Sequence, residues 1–152
     1  MQKLTLGPCD ISDLLEHARA RFAEQANAQN IELLVEEQSP LPRLHADRAQ
    51  LERVLDNLLG NALRHTADGG QIGLQARRHG ERVIVSVEDN GEGIAYGQQG
   101  RIFEPFVQVG RKKGGAGLGL ALCKEIVQLH GGRMGVYSRP GQGTQFYMAL
   151  PL

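Results

Sequence analysis

Apolar residues recur at helical spacing in three segments of the chain. The first helix is predicted over residues 10–29, and the second begins after Asp47, with Gln50 placed as in a capping box. The third is predicted over residues 118–130 and ends at Gly131. The residues expected to face the core are, in chain order, Ile11, Leu14, Leu15, Ala18, Phe22, Leu51, Val54, Leu55, Leu58, Leu59, Ala62, Leu63, Leu118, Leu122, Ile126 and Leu129.

Strand patterns occupy most of the remaining chain. The predicted strands are 3–6, 31–37, 71–78, 81–89, 133–138 and 143–151. The second of them, IELLVEE, is interpreted as a buried strand, and the third and fourth form a hairpin around His79 and Gly80. Prolines make residues 39–47 a turn-rich connection. One α/β domain therefore accounts for residues 1–152.

Charge and composition then exclude several classes of partner. Seventeen Lys and Arg residues offset seventeen Asp and Glu residues, so nothing predicts a nucleic-acid or membrane surface. The lack of Trp argues against a base-stacking platform, and no apolar run approaches the roughly 20 residues that span a bilayer. The N-terminal sequence has no apolar signal-peptide core, and Cys9 and Cys123 lack metal-ligand spacing. We therefore expect reduced thiols in a cytoplasmic protein.

The second helix carries a polar arc beside its apolar face. At about 100° per residue, Asn57, Asn61, Arg64 and His65 share one side of that helix. An Asn oxygen is a hard neutral ligand that suits Mg²⁺, which also binds substrate phosphates, and Arg64 is placed to reach such phosphates. Taken singly, each Asn favours a structural role, as a cap on a neighbouring strand or as a solvent-facing residue.

Nine of the twenty glycines lie between residues 91 and 119, and six of them belong to two distinct motifs. In EDNGEGI (88–94), Asp89 ends a strand and is followed by Gly91 and Gly93. A buried Asp89 would need a donor such as the exocyclic amine of a purine, although the same tripeptide also makes ordinary turns.

The second motif, GGAGLGL (114–120), precedes the third helix. Backbone N–H groups at a glycine-rich helix start form an anion site, although this spacing matches neither common phosphate fingerprint. A flexible hinge is the alternative interpretation.

The order of these motifs resembles one family. LERVLDNLLGNALRHT, DNGEGI, RIFEPF and GGAGLGLAL follow one another as the asparagine, first glycine, phenylalanine and second glycine boxes of the catalytic ATP-binding domain of sensor histidine kinases. That domain belongs to a superfamily with type II topoisomerases, MutL-type repair ATPases and heat-shock ATPase chaperones. The resemblance extends through KEIVQLHGG and SRPGQGTQF, and so covers essentially the whole chain.

The resemblance implies a Bergerat-type ATP-binding fold. In this α/β two-layer sandwich, a mixed, mostly antiparallel sheet of about five strands packs on three helices, and ATP lies between the helices and a mobile lid. The residues that it places around ATP are Asn57, Asn61, Arg64, His65, Asp89, Gly91, Gly93, Ile94, Gly115, Gly117, Leu118, Gly119, Leu120 and Thr144.

The resemblance also implies individual roles. Asn61 becomes the Mg²⁺ ligand, with Asn57 beside it near the phosphates, and Arg64 faces the phosphates. His65 takes a position near the nucleotide that is often aromatic in the family. Asp89 accepts the adenine amine, the glycines of both boxes shape the pocket, and Thr144 belongs to the strand behind adenine.

The lid is expected to contain Phe103, Phe106 and a run of three cations. Phe103 and Phe106 would anchor the lid and dock on the acceptor helices, although an ordinary core role remains open for Phe103. Many family members have an Arg shortly after the phenylalanine box; here Arg111, Lys112 and Lys113 follow later. One of the three would contact the γ-phosphate, and a solvated basic loop is the alternative.

Position 57 separates branches of the superfamily. The ATPase branches typically place there a Glu that activates water, whereas this chain has Asn57, which favours a kinase. None of the five histidines has the sequence context of a phosphoacceptor, so the acceptor is expected on a separate dimerisation domain of the parent protein.

The implied function is transfer of the γ-phosphoryl group of Mg-ATP to that histidine, with a response regulator as an indirect partner. We expect this chain alone to be a monomer and the parent a homodimer, in a family whose members are often anchored in the inner membrane. The competing hypotheses are a stand-alone Ser/Thr kinase of the anti-sigma type and a nucleotide-responsive docking module without transfer activity. A superfamily ATPase is disfavoured by Asn57.

Overall fold

Five strands form one sheet, and helices cover one of its faces. The computed structural model describes residues 3–38, 40–104 and 119–152. Its elements are β1 (Gly7–Cys9), α1 (Ile11–Ala28), β2 (Glu32–Glu37), β3 (Leu44–Ala46), α2 (Arg48–His65), β4 (Gln71–His79), β5 (Arg82–Asp89), a short 3₁₀ turn (Tyr96–Gln98), α3 (Gly119–Leu129), β6 (Arg133–Arg139) and β7 (Gly143–Pro151).

The sheet has the strand order β2-β4-β5-β7-β6. Only β2 and β4 pair in parallel among these neighbours; the other pairs are antiparallel. Alternate residues of β4, β5 and β7 point into a core shared with the three helices, and these are Ile72, Leu74, Ala76, Val83, Val85, Val87, Phe146, Met148 and Leu150. The predicted fold class, a mixed and mostly antiparallel sheet of five strands on three helices, is confirmed.

The apolar face of α2 is buried as the sequence predicts. All seven of its predicted core residues are at most 2% exposed, while Asn57 and Asn61 on the polar arc are half-buried and Arg64 is exposed. The helix begins at an N-cap, because the Asp47 carboxylate accepts a hydrogen bond of 3.2 Å from the backbone N–H of Gln50.

The other half of the predicted capping box is wrong. The Asp47 backbone N–H donates to Nε2 of His130 at 2.9 Å instead of to the Gln50 side chain. His130 lies just beyond α3 and its Nδ1 contacts the Ile126 carbonyl oxygen at 2.9 Å. The second Asp47 oxygen accepts from Thr5 N–H at 2.8 Å. Asp47 therefore joins the N-terminal segment, α2 and the end of α3.

Four details of the predicted strands are wrong. The first strand is Gly7–Cys9 and not 3–6, and it pairs with Leu44–Ala46, a strand that was not predicted inside the turn-rich connection. Strand β2 is a half-exposed edge strand flanked only by β4, and Leu34, which pairs with Gly73 on the face away from the helices, is 40% exposed. The hairpin turn lies at residues 80–81, one residue later than predicted. A glycine with positive φ at the first turn position, as at Gly80, suits the twist of a two-residue hairpin.

No helix in the described parts of the chain is long and apolar enough to cross a membrane. Cys9 and Cys123 are both free and buried, as expected for reduced thiols. Burial raises the pKa of the Cys123 thiol to about 12, so this thiol stays protonated and packs as an apolar group.

Candidate functional site

Among the predicted site residues that the structure describes, Asp89 ends β5, Thr144 lies near the start of β7 and Phe103 follows the 3₁₀ turn. The others lie on three elements that meet at one end of the helical layer. These elements are the polar arc of α2, the loop that follows β5, and the first turn of α3. The contacts described below join them in a continuous chain. Seven predicted residues lie outside the described residues: Phe106, Arg111, Lys112, Lys113, Gly115, Gly117 and Leu118.

Asn57 lies at a close contact between α2 and α3. Its Nδ2 donates to the carbonyl oxygen of Arg53, one turn earlier, at 3.0 Å. Its Oδ1 lies against Gly119, where an added Cβ would be only 2.9 Å from that oxygen. Gly119 therefore permits the contact, and Asn57 occupies the boundary between the two helices.

Asn61 and Arg64 lie one turn further along α2. Arg64 Nη2 donates to Asn61 Oδ1 over 3.4 Å, which is a long and weak hydrogen bond. Arg64 has no carboxylate partner among the residues that the structure describes. A cation that binds Asn61 Oδ1 would displace the guanidinium, which would then be available to an anion.

Asp89 is a buried carboxylate in the middle of this region. It is 7% exposed, and its Oδ1 accepts a hydrogen bond of 2.9 Å from Gly91 N–H. Burial raises its pKa above the ordinary value of 3.8, while hydrogen bonds from the main chain of Gly91 and Thr144 and the nearby His65 act in the opposite direction. A ligand donor at this carboxylate would compensate part of the cost of its desolvation.

A pair of hydroxyl groups extends the polar wall from Asp89 towards β6. Ser138 Oγ accepts from Ile94 N–H at 2.8 Å and donates to the Gly143 carbonyl oxygen at 2.9 Å. Since a serine has one hydroxyl proton, the 2.8 Å contact between Ser138 Oγ and Thr144 Oγ1 requires Thr144 to donate. The Thr144 oxygen thus keeps acceptor capacity on the strand beside Asp89.

Sequence reasoning missed Ser138 and Gln99 as site residues. Gln99 Nε2 donates to the carbonyl oxygens of Ile94 at 2.9 Å and Ser138 at 3.1 Å, and so ties the loop after β5 to β6. Ser138 is 44 residues from Ile94 along the chain, and no local pattern signals such a contact. The nearest indication in the sequence was the two strands predicted over residues 133–138 and 143–151, with Pro140 and Gly141 in the turn between them.

The glycines after β5 serve the close packing of backbone on backbone. An added Cβ at Gly91 would lie 2.2 Å from the His65 carbonyl oxygen, and one at Gly93, whose φ is 73°, would lie 2.2 Å from the Arg139 carbonyl oxygen. These glycines therefore fix the loop that carries Asp89 against the end of α2 and the turn after β6.

His65, at the end of α2, contacts the glycine loop through an ion pair or a hydrogen bond with Glu92. Its Nδ1 lies 2.8 Å from Glu92 Oε1, and the two side chains are 13% and 28% exposed. The backbone N–H of Glu92 also donates to the His65 carbonyl oxygen at 3.3 Å. The end of α2 and the glycine loop are therefore connected through both backbone and side chain.

The remaining predicted residues are more closely associated with the core. Ile94 is 6% exposed, and Leu120 is partly buried against the core. Phe103 packs edge-on against Phe146, with ring centroids 6.1 Å apart, and Lys124 Nζ lies 5.8 Å from the Phe103 ring centroid. These contacts favour the core role that the sequence left open for Phe103.

The comparisons with known proteins agree with this geometry. Residues 46–152 match the family described as histidine kinase-, DNA gyrase B- and HSP90-like ATPase. The chain belongs to this ATPase family. Among its sequence relatives, the alginate biosynthesis sensor protein KinB of Pseudomonas aeruginosa is 66% identical over 152 residues, which is 100% of this chain and 26% of KinB. The chain thus spans about a quarter of that relative.

Solved structures place it with the histidine kinase members of the ATPase family. The nucleotide-free catalytic domain of the histidine kinase ThkA has a TM-score of 0.88 and 30% sequence identity, and the match covers 97% of this chain and 96% of that domain. Full-length ShkA in complex with AMPPNP has a TM-score of 0.90 and 38% identity over 99% of this chain and 32% of ShkA. ThkA has also been solved in complex with the response regulator protein TrrA. The chain therefore has the fold and sequence of a histidine kinase catalytic domain.

The packing at Gly91 yields a first prediction. Gly91→Ala is expected to lower the free energy of unfolding by about 2 kcal/mol, because its methyl group would overlap the His65 carbonyl oxygen and force the backbone apart. Urea unfolding followed by circular dichroism measures this loss.

Gly97→Ala is the matched control. Nothing lies within 4 Å of an added Cβ there, so its unfolding free energy should stay close to that of the wild type. Equal losses in the two variants would contradict the packing role assigned to Gly91.

Proposed function

We propose that this domain binds Mg-ATP and transfers the γ-phosphoryl group to a histidine on a separate dimerisation and phosphoacceptor domain, as the kinase step of two-component signal transduction. The observation that carries the proposal is the buried Asp89 carboxylate next to the polar arc of α2. Membership in the ATPase family and the likeness to ShkA, which was solved with AMPPNP, support ATP as the nucleotide.

Asp89 and its neighbours fit an adenine ring. The Asp89 carboxylate is 7% exposed and accepts backbone N–H hydrogen bonds, and it is a strong acceptor. The exocyclic amine of adenine is a matching donor. Thr144 adds acceptor capacity on the adjacent strand, while Ile94 and Gly93 contribute a buried apolar residue and a tight loop. This arrangement recognises the amine and excludes water from it.

The α2 arc fits the phosphates and a magnesium ion. Among the described residues, no group of three or more His, Cys, Asp or Glu is placed to hold a metal. Mg²⁺ would then depend on the neutral oxygen of Asn61, on water and on phosphate oxygens, a ligand set typical of nucleotide-bound magnesium. When bound, the ion neutralises charge that develops on the phosphates.

Arg64 would change partner in the same step. In the structure its guanidinium contacts Asn61 Oδ1, the atom that the metal would use. Release from Asn61 places a fully charged donor beside the phosphates, where a charge-assisted hydrogen bond is strong. Asn57, the glycines of the second box and a cation from residues 111–113 are proposed to complete the phosphate site.

The transfer needs no general base on this chain. The imidazole nitrogen of the acceptor histidine uses its own lone pair to form the new bond to the γ-phosphorus, and the bond from that phosphorus to the bridging oxygen breaks. ADP leaves with the electron pair of the broken bond. Asn57 at the position one turn before Asn61 does not activate water, so orientation and charge neutralisation are the contributions of this domain.

The proposed partners follow from this chemistry. The phosphoacceptor domain of the parent protein receives the phosphoryl group, and a response regulator is the indirect partner, as ThkA binds TrrA. We propose that this chain alone is a monomer, that the parent is a homodimer, and that the catalytic domain faces the cytoplasm whether or not the parent is anchored in the inner membrane.

ATP binding tests the adenine site directly. Asp89→Asn should raise the Kd for ATP about 30-fold, since it replaces a charged acceptor in a buried pocket at a cost of about 2 kcal/mol. Isothermal titration calorimetry on both proteins measures the change. Asp68→Asn, at an exposed position before β4, is the control and should bind ATP like the wild type. A wild-type protein that is folded and binds no ATP would refute the nucleotide site.

Magnesium dependence tests Asn61. In the wild type, Mg²⁺ should tighten ATP binding, and Asn61→Ala should remove most of that gain while leaving metal-free ATP binding within about threefold of the wild type. The same titrations with and without EDTA provide the comparison. An Asn61→Ala protein that retains the full magnesium effect would exclude Asn61 as the ligand.

Phosphoryl transfer separates the kinase classes. Mixed with the phosphoacceptor domain of its parent and radiolabelled ATP, this chain should label that domain with an acid-labile, base-stable bond, the behaviour of phosphohistidine. An acid-stable label would instead support the Ser/Thr kinase of the anti-sigma type. ATP binding without any transfer would support the docking module, and steady phosphate release by the chain alone would support an ATPase.

A further inference from the structure

The sheet face turned away from the helices contains a broad cavity of about 610 Å³. Its centre is one row of four residues in register across four strands: Arg77, Ile84, Ala149 and Arg133. Three strand spacings of about 4.8 Å separate the two ends of the row, so the two arginines start about 14 Å apart. Ile84 and Ala149 form an apolar floor between them, and we call this feature the outer trough.

Two tyrosines border the outer trough on the side of β6. Tyr137 and Tyr147 stack with ring centroids 5.5 Å apart and an interplanar angle of 21°. The Tyr147 ring lies over Gly135, where an added Cβ would meet its hydroxyl at 2.3 Å, whereas Tyr137 is 67% exposed. A stacked aromatic pair with one exposed ring offers a rigid amphipathic contact surface.

The guanidinium groups of the outer trough have no carboxylate partner among the residues that the structure describes. The side chains of Arg77 and Arg133 make no hydrogen bond or ion pair within the described part of the chain, and the Arg82 side chain makes one hydrogen bond of 3.4 Å, to the Ala149 carbonyl oxygen. By contrast, Arg48 on the helical side binds two carboxylates. The outer trough therefore has a local excess of guanidinium groups in a protein of zero net charge.

The carboxylates near the outer trough stand at its β2 rim. Glu36 and Glu37 line that edge, and the Glu37 carboxylate accepts a hydrogen bond from Ser12 on the helical layer. The positive charge is thus concentrated over β4, β5 and β6, and the shape and charge of the trough favour an elongated anionic occupant.

We propose that the outer trough docks an extended, acidic segment of a partner protein. In an extended chain, residues four apart face the same side and lie about 13 Å apart, close to the separation of Arg77 and Arg133. The segment would therefore place two carboxylates four positions apart on the two guanidinium groups, with a small apolar residue midway over Ile84 and Ala149. Arginine binds carboxylates through two parallel hydrogen bonds, which gives this spacing its selectivity.

A synthetic peptide tests the spacing and the charge. The probe has two glutamates four positions apart with a valine midway, and its control has glutamine in place of both glutamates. Titrated at low ionic strength into the ¹⁵N-labelled chain, the probe should shift the backbone amide signals of Ile84, Ser86 and Ala149, and the control peptide should not. Calorimetric ATP binding should be unchanged, because the outer trough lies on the opposite face of the sheet from Asp89.

Charge-reversing substitutions locate the contact. Arg77→Glu combined with Arg133→Glu should weaken probe binding at least about tenfold. Arg43→Glu, the same change at an exposed residue of the connection before β3, should leave it unchanged. If charge reversal unfolds the chain, the milder double variant Arg77→Gln with Arg133→Gln takes its place. Its fold is checked by a pattern of dispersed amide signals like that of the wild type.

Several results would overturn the proposal. These are no shifts on the outer face with the probe, equal shifts with the glutamine control, and an equal loss of binding in Arg43→Glu. Tight binding of heparin in the outer trough without binding of the probe would also overturn it, because the site would then recognise a sulfated polyanion and not a protein segment.

Discussion

Burial of the apolar face of α2 is the interaction on which the rest of the site depends. Each fully buried Leu or Val contributes about 1.5–3 kcal/mol, and six such positions on this helix are at most 1% exposed. An Asn in a helix costs at most about 0.7 kcal/mol relative to Ala. Burial therefore fixes the rotation of α2 about its axis, and Asn57, Asn61 and Arg64 are held on the side that faces the loop after β5 and the start of α3.

A close approach of two backbones makes the junction between α2 and the sheet rigid. The His65 carbonyl oxygen accepts from Glu92 N–H, and the lack of a side chain at Gly91 leaves room for that contact. On the other side of the same loop, Gly93 lies against the Arg139 carbonyl oxygen. Asp89 is positioned by these contacts before any ligand arrives, so little conformational entropy remains to be lost when a ring binds.

Local pattern predicts the features that depend on neighbouring residues. The spacing of four between Asn57 and Asn61 placed both on one arc, as the structure confirms. The two-residue period of β5 likewise puts Val83, Val85 and Val87 in the core. Features that depend on distant residues left no such signal. The Asp47–His130 hydrogen bond joins residues 83 apart, and the β1–β3 pair consists of three-residue strands too short for a pattern. The exposure of β2 was mispredicted because an edge position is a property of the sheet and not of the strand.

The two-residue period of a strand separates the functions of the two faces. On β5, Asp89 points to the helical side while Ser86 points to the outer trough, and on β7, Thr144 and Tyr147 divide in the same way. The two sites therefore share strands but no side chains. Substitutions on the outer face leave the inner hydrogen bonds unchanged, and effects at separated sites without shared partners add. If both proposals hold, the outer-face partner can change without a change in the proposed nucleotide site, because substitutions in one set of side chains place no packing constraint on the other.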